Sequence, residues 1–243
     1  MGREFKWIFP ALALAASAGC DAAGTESTGG PTTAAAALKP CGPDGLIDDG
    51  EDGNNKVAAI GGRGGYWYVF GDKLGSTATP AKGGTFTMTA GGANDSKFAA
   101  EFKGKIGAQD QPPDYLFIGE GFNFLDPKAL YDASKFKGIT FWAKKTGAAT
   151  TGKVRLKVPD FNTDPQGKVC TDACFNDFGA DLELTEAWKQ YSFAWSDLHQ
   201  MPGWGSPSPD SITPSKIFGI QWQVNAPGAD YDISVDDIAF LCP

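Results

Sequence analysis

The sequence predicts an all-β fold, a β-sandwich or barrel, for residues 41–243. Three observations lead to this prediction. Apolar residues in this range recur with a period of two rather than 3.6, which is the pattern of half-buried strands. Turn-forming residues are frequent, with 32 glycines and 16 prolines among 243 residues. The composition does not change within the range, so we expect a single domain.

Ten short segments combine this alternation with turn-forming residues between them, such as Gly83-Gly84, Gly91-Gly92 and Pro112-Pro113. A series of short strands without a convincing helix is typical of sandwiches and barrels. The predicted strands are, in chain order, residues 66–70, 85–90, 97–105, 115–124, 139–144, 153–158, 180–184, 189–195, 217–224 and 231–241.

Several predicted strands place apolar side chains on one face and polar or aromatic side chains on the other. Trp142 lies opposite the apolar face of its strand, and Arg155 lies opposite the apolar face of the next strand. Gln221 and Gln223 occupy the polar face of a later strand. These side chains are either solvated positions on unrelated strands, with Trp142 under a loop, or parts of one face on a shared sheet.

An outward face of this composition suits a sugar ligand. Sugar rings present C–H patches that pack on aromatic rings, and hydroxyl groups that pair with amide or guanidinium groups. The four side chains above would supply both kinds of contact if they lay on one sheet, so we predict a glycan-binding face there. Tyr66 and Tyr68 would extend this face, although neither side of their strand is clearly polar.

The N-terminal segment has the features of an export signal. Arg3 and Lys6 give the chain a short, positively charged start. Residues 7–18 then form an uncharged, mostly apolar run. This run is too short to span a bilayer but matches a signal-peptide core. The small residues before Cys20 resemble the lipobox of bacterial lipoproteins, in which the cysteine is lipidated. Residues 1–20 are therefore predicted to be a lipoprotein signal peptide, the alternative being an ordinary signal peptide cleaved nearby.

Residues 21–40 contain no large hydrophobic residue before Leu38. Such a segment cannot bury enough apolar surface to order itself, so we predict a flexible tether. The mature protein is expected outside the cytoplasm, anchored through its lipid to the bacterial membrane or cell surface.

Four cysteines remain after Cys20, and an even number in an exported protein indicates disulfides. Cys170 and Cys174 are natural partners because only three residues separate them. Cys41 and Cys242 then form the second pair and join the two ends of the domain. A zinc site is the alternative, and the single histidine of the chain gives it little support.

Two acidic segments lie near the ends of the domain, at residues 46–54 and 235–240. A disulfide between Cys41 and Cys242 would bring them together. Carboxylate oxygens are the ligands that Ca²⁺ prefers, so the segments predict a calcium site. Two unrelated acidic turns are the alternative.

Several motifs, in order along the chain, resemble those of a known family. DGEDG at 49–53, followed by GRGGYWY at 62–68, resembles the opening of galactose-binding-like carbohydrate-binding modules. GITFWAK at 138–144 resembles their central strand, and VDDI at 235–238 resembles their final strand. The resemblance spans nearly all of residues 44–241, and it is greatest to the family 11-like group of these modules.

This resemblance implies a jelly-roll β-sandwich with a sugar-binding cleft on one sheet and a structural Ca²⁺. Glu51 matches the N-terminal calcium ligand of these modules, and Asp236 or Asp237 matches the C-terminal one. It also implies non-catalytic carbohydrate binding, which we take as the predicted function.

Two other function classes remain open. The first is a cell-surface structural or protein-interaction module on the same scaffold. The second is a jelly-roll enzyme, but Glu183 and Glu186 do not form the carboxylate motif of such glycosidases, and His199 has no Ser or Cys partner in sequence. A nucleic-acid ligand is not expected, because the net charge is −8.

Overall fold

A computed structural model describes residues 38–107 and 115–243. The predicted signal peptide with Cys20, and the predicted tether up to residue 37, lie outside the described residues. Thirteen strands in the described part, with only short helical turns such as Gly42–Gly45, confirm the predicted all-β class. None of these helical turns has the length and hydrophobicity needed to cross a membrane.

The strands follow the predicted segments closely, apart from three short additions. Nine of the ten predicted segments contain a strand of similar bounds. The observed strands are β1 Lys39–Pro40, β2 Leu46–Asp48, β3 Trp67–Gly71, β4 Thr77–Thr79, β5 Thr89–Ala90, β6 Phe98–Lys105, β7 Ile118–Asn123, β8 Gly138–Lys145, β9 Lys153–Val158, β10 Phe178–Glu183, β11 Lys189–Ala194, β12 Gly219–Val224 and β13 Asp230–Cys242.

Three strands, β1, β2 and β4, have no counterpart in the prediction because two or three residues are too few to show an alternation. The predicted strand at 85–90 is reduced to Thr89–Ala90. Phe86 of that segment is nevertheless buried, so its apolar character reflects core packing rather than strand pairing.

The strands form two antiparallel sheets. The eight-stranded sheet has the order β11-β8-β13-β6-β4, with β1 and β2 also paired to β13 and β5 paired to β6. The five-stranded sheet has the order β10-β9-β12-β7-β3. Strands distant in sequence are therefore neighbours in both sheets, and β13 is the central strand of the larger one.

The core lies between the two sheets, and the predicted strand faces supply it. Phe141 of β8 and Trp222 of β12 are fully buried, and their rings meet across the sheets with centroids 5.2 Å apart. Trp67 of β3 stacks on Trp222 at 5.9 Å. In β3 the inward residues are Trp67 and Val69, which settles the face that the sequence leaves ambiguous.

Both predicted disulfides are present. Cys41 and Cys242 are 201 residues apart in sequence and their Cα atoms are 5.1 Å apart. Cys170 and Cys174 have Cα atoms 5.6 Å apart and close a short loop in the connection between β9 and β10. The first disulfide fixes β1 and the start of the domain to the end of β13.

Candidate functional site

The outer face of the five-stranded sheet collects most of the predicted ligand-binding residues. Because side chains alternate along a strand, residues paired in register point to the same face. Tyr68 of β3 pairs with Gly121 of β7, which pairs with Gln221 of β12. Gln221 in turn pairs with Lys157 of β9. These residues form one row across the sheet.

A second row runs beside the first. Phe70 of β3 pairs with Gly119 of β7, and Gly119 pairs with Gln223 of β12. Gln223 pairs with Arg155 of β9, and Arg155 pairs with Asp181 of β10. We call the face formed by these two rows the outer sheet face. It contains four of the six predicted ligand-binding residues, Tyr68, Arg155, Gln221 and Gln223.

Two glycines of β7 shape the middle of the outer sheet face. A Cβ atom on Gly121 would lie only 2.8 Å from Cγ of Gln221. A Cβ atom on Gly119 would overlap the ring of Phe70. The absence of side chains at these two positions of β7 therefore lets Phe70 and Gln221 lie across the strand, which brings the aromatic and amide groups close together.

The amides of the outer sheet face are held by hydrogen bonds. Nε2 of Gln221 donates to the hydroxyl oxygen of Tyr68 at 2.9 Å. Nζ of Lys157 donates to Oε1 of Gln223 at 3.1 Å, and Nε2 of Gln223 donates to Oδ1 of Asn225 at 2.6 Å. Burial raises the pKa of Tyr68, so its hydroxyl keeps its proton and can donate to a ligand.

The cations of the outer sheet face are paired within the protein. Nη1 of Arg155 lies 3.0 Å from Oδ1 of Asp181, and Nη2 donates to the carbonyl oxygen of His199 at 2.6 Å. Nζ of Lys157 lies 3.1 Å from Oδ2 of Asp177, and both side chains are buried. The face therefore carries fixed polar groups with little net charge.

Trp142 does not belong to this face, so the prediction that it shares a sheet with Arg155, Gln221 and Gln223 is wrong. Trp142 lies on β8, in the eight-stranded sheet, and points away from the core. Alternation indicates which residues point outward but not which sheet a strand joins, and strand order decides that. Trp142 instead lines a cavity of about 350 Å³ near Cys41.

Tyr66 lies just before β3 and pairs with Lys56 in an isolated bridge. Alternation places Tyr66 on the same side as Tyr68. Its ring is contacted by Nζ of Lys56, which lies 4.7 Å from the ring centroid. Tyr66 is therefore at the margin of the outer sheet face, where Lys56 occupies part of its aromatic surface.

Four residues, Lys157, Phe70, Asp177 and Asp181, contribute to this face although none of them is a predicted site residue. Lys157 follows Arg155 by two residues, so alternation alone is a sufficient signal for it. Phe70 carries the same signal relative to Tyr68, once the inward face of β3 is known. Asp177 carries no such signal, because its pairing with Lys157 depends on the path of the long connection between β9 and β10.

The predicted calcium ligands are engaged in hydrogen bonds to the backbone. Oε1 of Glu51 accepts from the N–H groups of Lys97 at 2.6 Å and Phe98 at 3.0 Å. Oδ2 of Asp236 accepts from the N–H group of Ala93 at 2.7 Å. These carboxylates therefore fix the strand β6 and the loop before it to the acidic segments.

Asp237 lies at a bulge of β13, and burial raises the pKa of its carboxyl group. Among the described residues, no group of three or more His, Cys, Asp or Glu side chains is arranged to hold a metal ion. Asp49 and Glu51 lie near enough to Asp237 to contribute to its raised pKa, so the two acidic segments are neighbours. Calcium stays a prediction from the sequence. A melting temperature that EDTA lowers and Ca²⁺ restores would support the ion; an unchanged melting temperature would reject it.

The comparisons with known proteins bear on the fold. No protein-family model matches the chain, and no curated protein matches it. Among solved structures, the chain resembles a family 11 carbohydrate-binding module from Clostridium thermocellum in complex with a β-1,3-1,4-mixed-linked tetrasaccharide. The TM-score is 0.53 at 14% identity, over 81% of this chain and 94% of the module.

A second similar structure is the family 11 module of a cellulosomal cellulase of Clostridium thermocellum. Its TM-score is 0.52 at 13% identity, and the match covers 85% of this chain and 95% of the module. These matches confirm the jelly-roll sandwich and the predicted resemblance to family 11 modules at the level of fold. The chain therefore shares the β-sandwich fold of these modules.

Proposed function

We propose that this protein binds a neutral glycan on the outer sheet face and does not convert it chemically. The observation that carries the proposal is the pairing of the Tyr68 hydroxyl and the Gln221 amide beside Phe70, Gln223 and Arg155. Aromatic rings offer packing surface to the C–H patches of a sugar, and amides and guanidinium groups pair with its hydroxyls.

A neutral ligand is favoured because the charges of the face are already compensated. Arg155 is paired with Asp181, and Lys157 is paired with Asp177. The whole chain carries a net charge of −8, which opposes the binding of an acidic polysaccharide. Uncharged β-glucan is therefore the first ligand to test.

Binding rather than hydrolysis is favoured by the same ion pairs. Glycosidases need one carboxyl group as general acid and a second as base or nucleophile. Among the carboxylates on or beside the outer sheet face, Asp177 and Asp181 each contact a cation of the protein. Neither is free to exchange a proton with a glycosidic oxygen while that pairing persists.

The proposal extends to the location of the protein. The charged start, the apolar run and Cys20 support export and lipid anchoring, so that the outer sheet face would meet glycans outside the cytoplasm. Replacing Cys20 by Ala should release the protein from the membrane fraction. Membrane association equal to that of the parent would reject the lipid anchor.

The glycan proposal is tested by calorimetric titration with the mixed-linked β-glucan tetrasaccharide. Gln221→Ala should weaken binding about five- to tenfold, because it removes one or two hydrogen bonds to sugar hydroxyls. Trp142→Ala is the matched control, since Trp142 lies on the other sheet, and it should leave the affinity unchanged. Equal binding by Gln221→Ala and the parent, with weaker binding by Trp142→Ala, would place the site elsewhere.

A further inference from the structure

A concave surface lies beyond β10, next to the outer sheet face. The loop of residues 199–210 and Phe178 border an open cavity of about 460 Å³, within the size range of small-ligand sites. Its lining combines apolar and polar side chains, among them Met201, Trp204, His199, Ser208 and Asp210. We call this concavity the loop cavity.

The loop cavity is built on a fixed backbone. The buried side chain of Asn176 donates through Nδ2 to the carbonyl oxygens of Met201 at 2.8 Å and Trp204 at 2.7 Å. Its Oδ1 accepts from the N–H group of Met201 at 2.9 Å. Gln200 returns a hydrogen bond to the carbonyl oxygen of Asn176 at 2.7 Å. The buried amide of Asn176 therefore holds the backbone of Met201 and Trp204, two residues that line the cavity.

Large apolar side chains remain exposed around this fixed backbone. Trp204 is 46% exposed and Met201 is 43% exposed. Phe175, next to Asn176 in sequence, is 56% exposed and has a left-handed φ of 72°. Bulky residues rarely adopt this conformation, and such strain persists where the surrounding structure enforces it, most often at functional sites. Met201 and Trp204 both line the loop cavity, so exposed apolar surface lies next to its polar groups.

The loop cavity continues the outer sheet face. His199 exchanges two backbone hydrogen bonds with Gly179 of β10, at 2.9 and 3.0 Å, as a further strand position would. Arg155 also reaches the carbonyl oxygen of His199 from the outer sheet face. From β12 to His199 there are three strand spacings, or roughly 14 Å. A ligand that crosses the sheet from Gln221 toward β10 would therefore arrive at the loop cavity.

We propose that the loop cavity is an additional sugar-binding subsite, with Trp204 as its aromatic platform. This inference rests on the proposed glycan binding of the outer sheet face. The two surfaces together accept an extended polysaccharide chain that crosses the strands, whereas a short oligosaccharide occupies the outer sheet face alone. Ser208 and Asp210 supply acceptors for sugar hydroxyls in the cavity.

The test compares two probes, the mixed-linked tetrasaccharide and the corresponding β-glucan polymer. Trp204→Ala should weaken polymer binding about tenfold, the scale of a lost aromatic anchor, and should leave tetrasaccharide binding unchanged. Gln221→Ala should weaken the binding of both probes. Trp188→Ala is the matched control, because Trp188 lies beside β11 of the eight-stranded sheet under Lys144, and it should affect neither.

A second measurement covers the case in which Trp204→Ala perturbs folding. The indole N–H resonance of Trp204 in the parent should shift on addition of the polymer and remain unchanged with the tetrasaccharide. The subsite is overturned if folded Trp204→Ala binds the polymer as tightly as the parent does. It is also overturned if the polymer does not shift the indole resonance of the parent. Either result leaves the proposed function intact. If the parent binds neither probe, the proposed β-glucan binding fails, and the subsite fails with it.

Discussion

The carboxyl group of Glu120 lies in the core of the sandwich. It points inward from β7, is fully buried, and neither carboxyl oxygen has a hydrogen-bond partner. Trp222, its register partner on β12, also has an unpartnered indole N–H group. Burial raises the pKa of Glu120 well above its ordinary value, because an ionised carboxylate loses its hydration there. The folded protein therefore holds this proton at a pH where the unfolded chain releases it.

We expect stability to fall with rising pH because of this one group. The folded state binds more protons than the unfolded state between the ordinary pKa of glutamate and the raised pKa of Glu120, so the free energy of unfolding decreases by about 1.4 kcal/mol per pH unit in that window. Glu120→Gln should remove this slope, and the variant should gain on the parent as pH rises above about 4.5. Urea unfolding between pH 4 and 8 measures the difference.

The control for this prediction is Glu183→Gln, a change at an exposed glutamate at the end of β10. Its free energy of unfolding should follow that of the parent at every pH. Other carboxyl groups with raised pKa values, such as Asp48, are common to all three proteins and cancel in the comparison. Parallel curves for Glu120→Gln and the parent would show that Glu120 does not control the pH dependence.

At the scale of elements, β7 shows how two glycines on the outward side of a strand make room for the side chains of its neighbours. Gly121→Ala would place a methyl group 2.8 Å from Cγ of Gln221 and closer still to the carbonyl oxygen of Ile220. We expect the substitution to lower the free energy of unfolding by ~1–3 kcal/mol, the range for forced overpacking, and to weaken glycan binding by displacing Gln221. Urea unfolding and calorimetric titration measure the two effects.

Gly42→Ala is the matched control, because no atom lies within 4 Å of the added methyl group. It should change neither stability nor binding appreciably. If Gly121→Ala were as stable as the parent and bound glycan equally, the close packing of Phe70 and Gln221 over β7 would not matter for the site.

The strands themselves were predictable from sequence, and their order was not. Alternation correctly assigns Arg155, Gln221 and Gln223 to outward faces, because burial is a local property of each strand. Their neighbourhood depends on β9 pairing with β12, which lies more than sixty residues later in the chain. Trp142 has the same local pattern but belongs to the other sheet. The sequence of its own strand does not indicate which sheet the strand joins.

The sequence of the loops allowed still less to be predicted about the candidate site. Trp204 and Asn176 lie in segments without periodicity, and their joint role depends on hydrogen bonds between two connections distant in sequence. The cysteine pairs, by contrast, were predictable, because four cysteines leave only three possible pairings and two of the cysteines are close neighbours in sequence.

At the scale of the whole molecule, the two disulfides should differ in their effect on stability. In the chain-entropy model, a cross-link stabilises by restricting the unfolded chain, and more so for longer loops. Removing the Cys41–Cys242 bond, 201 residues apart, should lower the free energy of unfolding by ~5 kcal/mol. Removing Cys170–Cys174, four residues apart, should cost ~2 kcal/mol.

The paired variants are Cys41→Ser with Cys242→Ser, and Cys170→Ser with Cys174→Ser, compared by urea unfolding. Each double variant leaves the other disulfide intact and so serves as its control. Equal losses of stability in the two variants would contradict the dependence on loop length. The Cys170–Cys174 variant should also weaken polymer binding more than tetrasaccharide binding, since its loop leads into Asn176.

The bond between Cys41 and Cys242 also determines how the domain bears tension. A pull on the chain ahead of Cys41 can detach only the two residues of β1 before the load reaches the disulfide. The disulfide transfers that load to β13, which is paired with β8 on one side, and on the other with β2 near its end and with β6 along its first half. A central strand cannot be peeled away one hydrogen bond at a time, as an edge strand can. Traction from this end therefore has to shear the larger sheet as a unit before the domain opens.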